Sequence, residues 1–162
     1  MSLPPAAGSR VRFLIAAAVI AALYAALTAA LAPISFLGVQ LRVAEALTVL
    51  PLFTTAAIPG LALGCALANL VGVAMGANPA GLLDVPVGAA ATLLAAFLTY
   101  LFRNIRIGNF PVLSFAPPVA VNMLVIGTEL SLVLSLPLPL TVLQVGAGQF
   151  GACAGIGVPL YL

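Results

Sequence analysis

Arg42, Glu45, Asp84 and Glu129 are ionisable residues set among apolar neighbours, and such groups carry chemistry by their placement alone. Inside a bilayer an unpaired charge costs on the order of a few kcal/mol, so each is a site residue by default. A carboxylate there can accept two adjacent N–H donors of a planar heterocycle in a charge-assisted, bidentate arrangement. Asn69, Asn122, Gln40 and Gln144 add neutral donors and acceptors. Asn122 and Glu129 share one helix face about 10 Å apart along its axis, within reach of one small ligand. Glu129 has no charged neighbour within a turn on its own helix, which makes it the leading site residue. Arg42 and Glu45, at i and i+3, can pair with each other, which is compatible with Glu45 also orienting a ligand. Asp84 follows Gly81-Leu82-Leu83 and either caps a helix or joins the site.

The elements that must position these groups follow from composition. The chain is 64% hydrophobic and 5% charged, whereas soluble domains carry roughly a quarter charged residues. Five arginines, no lysine and three acids give a net charge of +2, too little basic surface for nucleic-acid binding. A spanning helix needs about 20 apolar residues. Breaks at Pro33, Pro59, Asn78-Pro79, the 103–111 stretch and Leu136-Pro137-Leu138-Pro139 therefore predict six spans. They cover 12–32, 41–57, 59–76, 84–102, 111–134 and 140–162, the second short and kinked at Pro51. The expected architecture is an all-α membrane protein: residues 1–11 form a cytoplasmic lead, and 12–162 form a single transmembrane domain.

Arginines are retained on the cytoplasmic side. Arg10, Arg12, Arg103 and Arg106 obey that rule if both termini are inside; Arg42, at the outer end of the second span, is the exception. In this topology every polar residue named above falls in the outer half. Ala17, Ala21, Ala25 and Ala29 make a small-residue stripe on the first helix, with Ala18, Ala22, Ala26 and Ala30 beside it. Small residues let helices approach closely in lipid. The stripe serves either packing within the bundle or docking of a partner subunit. Cys65 and Cys153 read as small core residues, not as a metal or redox pair. The sequence carries no phosphate-binding loop and no nucleophile beside a base, so it reads as a non-enzyme without a cofactor. It has an outward site and no engine of its own.

Four blocks carry a family resemblance: QLRVAEALTVLP (40–51), AIPGLALGCALAN (57–69), GLLD (81–84) and PVAVNMLVIGTE (118–129). Together they resemble the queuosine-precursor transporter family (QueT type), the substrate-binding S-components of energy-coupling factor (ECF) transporters. The resemblance implies a six-helix S-component in a prokaryotic plasma membrane with both termini cytoplasmic. It also implies docking through the alanine stripe to a transmembrane coupling subunit carrying two ATPases. The implied ligand is a deazaguanine precursor of queuosine, or queuine; some similar proteins carry cobalamin. A membrane scaffold whose polar groups only pin helices together is the reading from another class. Tyr24, Phe36, Phe53 and Phe115 are the aromatic candidates for stacking on a base.

Overall fold

Long apolar runs punctuated by proline and glycine leave the backbone to satisfy itself, which in lipid favours helices. The computed structural model describes residues 7–36, 42–106 and 111–161, and all regular elements among them are helical. Helix α1, Ala7–Ala30, runs into the short α2, Ala32–Ser35, with Pro33 in its first turn. A 3-10 segment, Val43–Leu52, comes next, followed by α3, Ala57–Ala74. A 3-10 turn at Gly81–Leu83 leads into α4, Asp84–Phe102, and another at Val112–Phe115 into α5, Ala116–Leu134. Helix α6, Leu138–Ala152, passes through a π-helical stretch, Cys153–Gly157, into α7, Val158–Tyr161. Pro159 has no N–H to give the α ladder, and the wider π winding lies just ahead of it.

Helix ends follow local chemistry. Gly76 adopts φ +66 after α3, and the N–H of Ala77 then reaches back to the Gly72 carbonyl at 2.8 Å. Ser135 adopts φ 53 after α5 and Leu136 N–H bonds the Ser131 carbonyl at 3.0 Å, before Pro137 and Pro139 start α6.

Contacts between elements set their directions. Gly60 of α3 packs on Ala17, Gly64 on Ala21 and Tyr24, and Gly72 on Phe36, so α1 and α3 run parallel. The segment between them must therefore return across the bundle. It does so as the 3-10 segment, and α6–α7 run beside it in the same direction, pairing Glu45 with Gln149, Thr48 with Cys153 and Phe53 with Tyr161. Helix α4 is antiparallel to α3, since Asn69 meets Asp84 and Cys65 meets Gly88. Helices α5 and α6 are antiparallel, Gly127 lying on Val142 and Gly146 on Met123.

Among the described residues five helices are long and apolar enough to cross a membrane: Gly8–Ala30, Ala57–Ala74, Gly81–Phe102, Leu113–Leu134 and Leu138–Tyr161. The expected second spanning helix, 41–57, is instead the ten-residue 3-10 segment. Its rise of about 2.0 Å per residue stretches it to about 20 Å, where an α-helix of that length would reach about 15 Å. Thr48 Oγ1 donates to the Glu45 carbonyl at 2.6 Å within it, and Pro51 contributes no donor.

Polarity is turned inwards. Thr28, Arg42, Glu45, Asn69, Asp84, Thr92, Asn122 and Glu129 are buried, while Leu14, Val19, Leu23, Leu94, Phe97, Leu143 and Phe150 are exposed. That inversion suits a hydrocarbon solvent. One end of the bundle gathers the start of α1 with Arg10 and Arg12, and a pocket of Phe53, Arg103, Arg106 and Tyr161. The opposite end holds the end of α3, Asp84 and the turn between α5 and α6.

Candidate functional site

Arg42 opens the 3-10 segment with an extended backbone, φ −81 and ψ 97, which aims its side chain across the bundle at the start of α4. Its Nη2 lies 3.0 Å from Asp84 Oδ2 and also donates to Asn69 Oδ1 at 3.0 Å. Asn69 in turn donates through Nδ2 to the Asp84 carbonyl at 2.7 Å. Asn78 completes the clasp: its Nδ2 donates to Asp84 Oδ2 at 2.8 Å, and its Oδ1 accepts the Ala80 N–H at 3.1 Å. The Phe36 ring lies 5.1 Å from the guanidinium carbon, a cation–π contact. Gly88 permits the close fit, since a Cβ there would stand 2.6 Å from Asn69 Nδ2 and 2.9 Å from Asp84 Oδ1.

Glu45 lies one turn deeper. Tyr24 Oη donates to its Oε1, and Gln149 Nε2 donates to its Oε2 at 3.1 Å. Arg42 thus pairs with Asp84, not with its neighbour Glu45, and Asp84 makes no side-chain cap to α4. These two clasps wall a cavity to which four elements contribute two residues each. Arg42 and Glu45 come from the 3-10 segment, Gly88 and Thr92 from α4, Asn122 and Ile126 from α5, and Val145 and Gln149 from α6. Its volume is about 10 Å³, room for one water. A ligand larger than water must push these elements apart.

Glu129 follows Ile126 by three residues on the same face of α5 and is 6% exposed. Neither of its carboxylate oxygens has a hydrogen-bond partner among the described residues, and it lies within Coulombic range of Asp84 and Arg42. The structure therefore brings Arg42, Glu45 and Asn122 to the wall of one cavity, with Asn69 and Asp84 bonded to Arg42 and Glu129 a turn beyond Ile126. Gln144 is half-buried and lies about 140° around α6 from Gln149, outside the cluster. Gln40 lies outside the described residues.

Sequence reasoning passed over Gln149, Thr92, Asn78 and the phenol of Tyr24 as polar members of the cluster. Tyr24 and Thr28 share the buried face of α1 with Ala17 and Ala21, so helical spacing carried that signal. Asn78 read only as a turn residue before Pro79. Phe53 and Phe115 meet Tyr161 at the arginine end, away from the cavity, leaving Tyr24 and Phe36 as the aromatics beside the clasps.

Of the alanine row 17, 21, 25 and 29 expected to dock a partner, Ala17 and Ala21 pack within the bundle. Ala21 is 2% exposed, and a Cβ on Gly60 or Gly64 would stand 2.8 Å from the Ala17 carbonyl or 2.9 Å from that of Ala21. Ala17 and Ala21 are taken up by α3, because glycines spaced by four let the two backbones touch. Ala18, Ala22, Ala26 and Ala30 are the exposed row.

An apolar-surfaced bundle that buries a charged, hydrogen-bonded cavity is a multi-pass membrane protein built around a small polar site. The chain belongs to the QueT transporter family, whose family model matches residues 14–162, essentially its whole length. It is thereby a transport protein rather than an enzyme. No curated protein and no solved structure matches it significantly.

Proposed function

We propose that this protein is the substrate-capture S-component of an ATP-driven ECF importer, binding a deazaguanine-type base such as a queuosine precursor or queuine. The observation that carries this reading is the cavity between the Arg42–Asp84 and Glu45–Gln149 clasps. There, donors and acceptors from four elements converge inside an otherwise apolar bundle. Asn122, Thr92 and Gln149 offer both hydrogen-bond senses to the edge of a planar base. Glu45 retains lone pairs to accept ring N–H groups. Membership of the QueT transporter family supports the same reading.

In this function both termini and Arg10, Arg12, Arg103 and Arg106 face the cytoplasm of a prokaryotic cell, and the clasped end faces outward. Energy comes from two partner ATPases through a transmembrane coupling subunit, which docks on the exposed row Ala18, Ala22, Ala26 and Ala30. The small resting cavity favours a ligand of base size over a corrinoid, whose admission would separate the helices much further. Isothermal calorimetry of the purified protein against 7-deazaguanine derivatives, queuine and cobalamin tests the reading. Saturable binding of the bases is expected. Binding of cobalamin alone overturns the substrate class, and binding of nothing favours a scaffold.

A further inference from the structure

The arginine end of the bundle holds a second pocket, far larger than the clasped cavity. Phe53, Arg103, Asn104, Arg106 and Tyr161 line it, and its volume is about 200 Å³. Arg103 is half-buried and held in place: its guanidinium carbon lies 3.7 Å from the centroid of the Tyr100 ring, and its Nη1 donates to the Tyr100 carbonyl at 2.9 Å. Its other N–H groups remain for an anion. Arg106 is exposed at the rim. The three acidic side chains of the chain, Glu45, Asp84 and Glu129, all lie in or beside the clasps, and Asp84 is taken by Arg42. Among the described residues, neither guanidinium of the pocket is therefore matched by a carboxylate side chain.

An apolar groove of about 470 Å³ adjoins this pocket, running between α5 and the α6–α7 helix. Ala116, Ala120 and Ala154 have little side chain to fill it, and Met123 and Phe150 mark its far end. From Ala116 to Met123 it follows α5 for about 10 Å. Phe115 belongs to the groove and Tyr161 to the pocket, and their rings meet edge-on with centroids 6.2 Å apart. The groove thus begins where the charged pocket ends and leads from there towards the hydrocarbon depth.

Free phosphate has nothing to place in such a groove, and a purely apolar helix has nothing to give two guanidinium groups. We infer that this end of the bundle binds one anionic phospholipid, its phosphate between Arg103 and Arg106 and an acyl chain in the groove between α5 and α6. The guanidinium fork matches phosphate oxygens in pairs. An arginine already stacked on a tyrosine loses little further freedom on binding. Phe53, Tyr100 and Tyr161 stand where aromatic rings favour the membrane–water boundary. The lipid site lies at the opposite end from the clasps and does not depend on what the cavity there binds.

Native mass spectrometry of the intact protein in detergent tests this with dioleoylphosphatidylglycerol, an anion, and dioleoylphosphatidylcholine, a zwitterion with the same chains. One phosphatidylglycerol per protein is expected, held about tenfold more tightly than phosphatidylcholine. Arg103→Gln combined with Arg106→Gln should cut that preference to about twofold or less. Arg10→Gln combined with Arg12→Gln removes the same charge from the same end and should leave the preference intact. Ala120→Leu fills the groove and should weaken both lipids while the preference persists. Equal affinities for the two lipids in the wild type overturn the inference without reference to any variant, as does binding of neither. Equal effects of the two arginine pairs overturn it too, since they indicate diffuse attraction to the bilayer. Displacement of the lipid by inorganic phosphate at equal concentration would assign the pocket to a free anion, and unchanged binding in Ala120→Leu would empty the groove; either result overturns the site.

Discussion

Arg42 Nη2 sits 3.0 Å from Asp84 Oδ2, joining the 3-10 segment to the start of α4 across 42 positions of sequence. Both side chains are buried, and Asn69 and Asn78 hold the pair from either side. Such a pair draws its importance from what happens when one half is lost.

Arg42→Gln should destabilise the protein by about 3–5 kcal/mol, the cost of leaving a buried charge uncompensated. Asp84→Asn should cost less, since Glu129 and Glu45 remain near the guanidinium. The double variant should recover part of the Arg42→Gln loss. Thermal unfolding in detergent measures all three. Equal and additive losses would show that the pair acts as two independent residues.

Tyr24→Phe removes the hydroxyl that donates to Glu45 and leaves the Cβ that packs beside Gly64. The expected loss is about 1–3 kcal/mol, larger than for a neutral acceptor, because a carboxylate oxygen is left short of a partner. An unchanged melting temperature would remove Tyr24 from the clasp.

Gly64→Ala should separate α1 from α3, since the new Cβ would meet Tyr24 Cβ at 2.7 Å and the Ala21 carbonyl at 2.9 Å. Overpacking of this kind costs about 1–3 kcal/mol. Gly155→Ala, where a Cβ meets nothing within 4 Å, is the control and should be near neutral.

The two alanine rows give opposite expectations. Ala21→Leu should lower stability, being set against α3, whereas Ala22→Leu should leave the melting temperature within about 1 kcal/mol of wild type. If the exposed row docks a coupling subunit, Ala22→Leu should abolish co-purification with it while base binding persists. Co-purification of Ala22→Leu at wild-type yield would free that face from the role.

Gln149→Ala should weaken base binding by about tenfold, as loss of one partner to a charged group, and Gln144→Ala should not. Calorimetry with the same base reads both. A larger effect at Gln144 would move the site to another face of α6.

Composition and proline spacing determined that this chain is helical and apolar enough to cross a membrane several times, and they marked Arg42, Glu45, Asn69, Asp84, Asn122 and Glu129 as polar groups in need of partners. Those features are local, since burial of a charge in an apolar run is costly whatever lies across from it. Pairing was not local. Arg42 could have taken Glu45, three residues away, but its extended backbone ahead of the 3-10 segment turns it to Asp84 and leaves Glu45 to Tyr24 and Gln149. Nor could spacing decide between two adjacent alanine rows, because a rotation of about 100° about the α1 axis exchanges them. Gly60 and Gly64, on another helix, made that choice by admitting only one row at contact distance. Glu129 belongs to both levels: sequence marked it as a charge without a neighbour, and the tertiary structure left both its oxygens without a hydrogen bond among the described residues, while Asn78 and Gln149 donate to the other two acids.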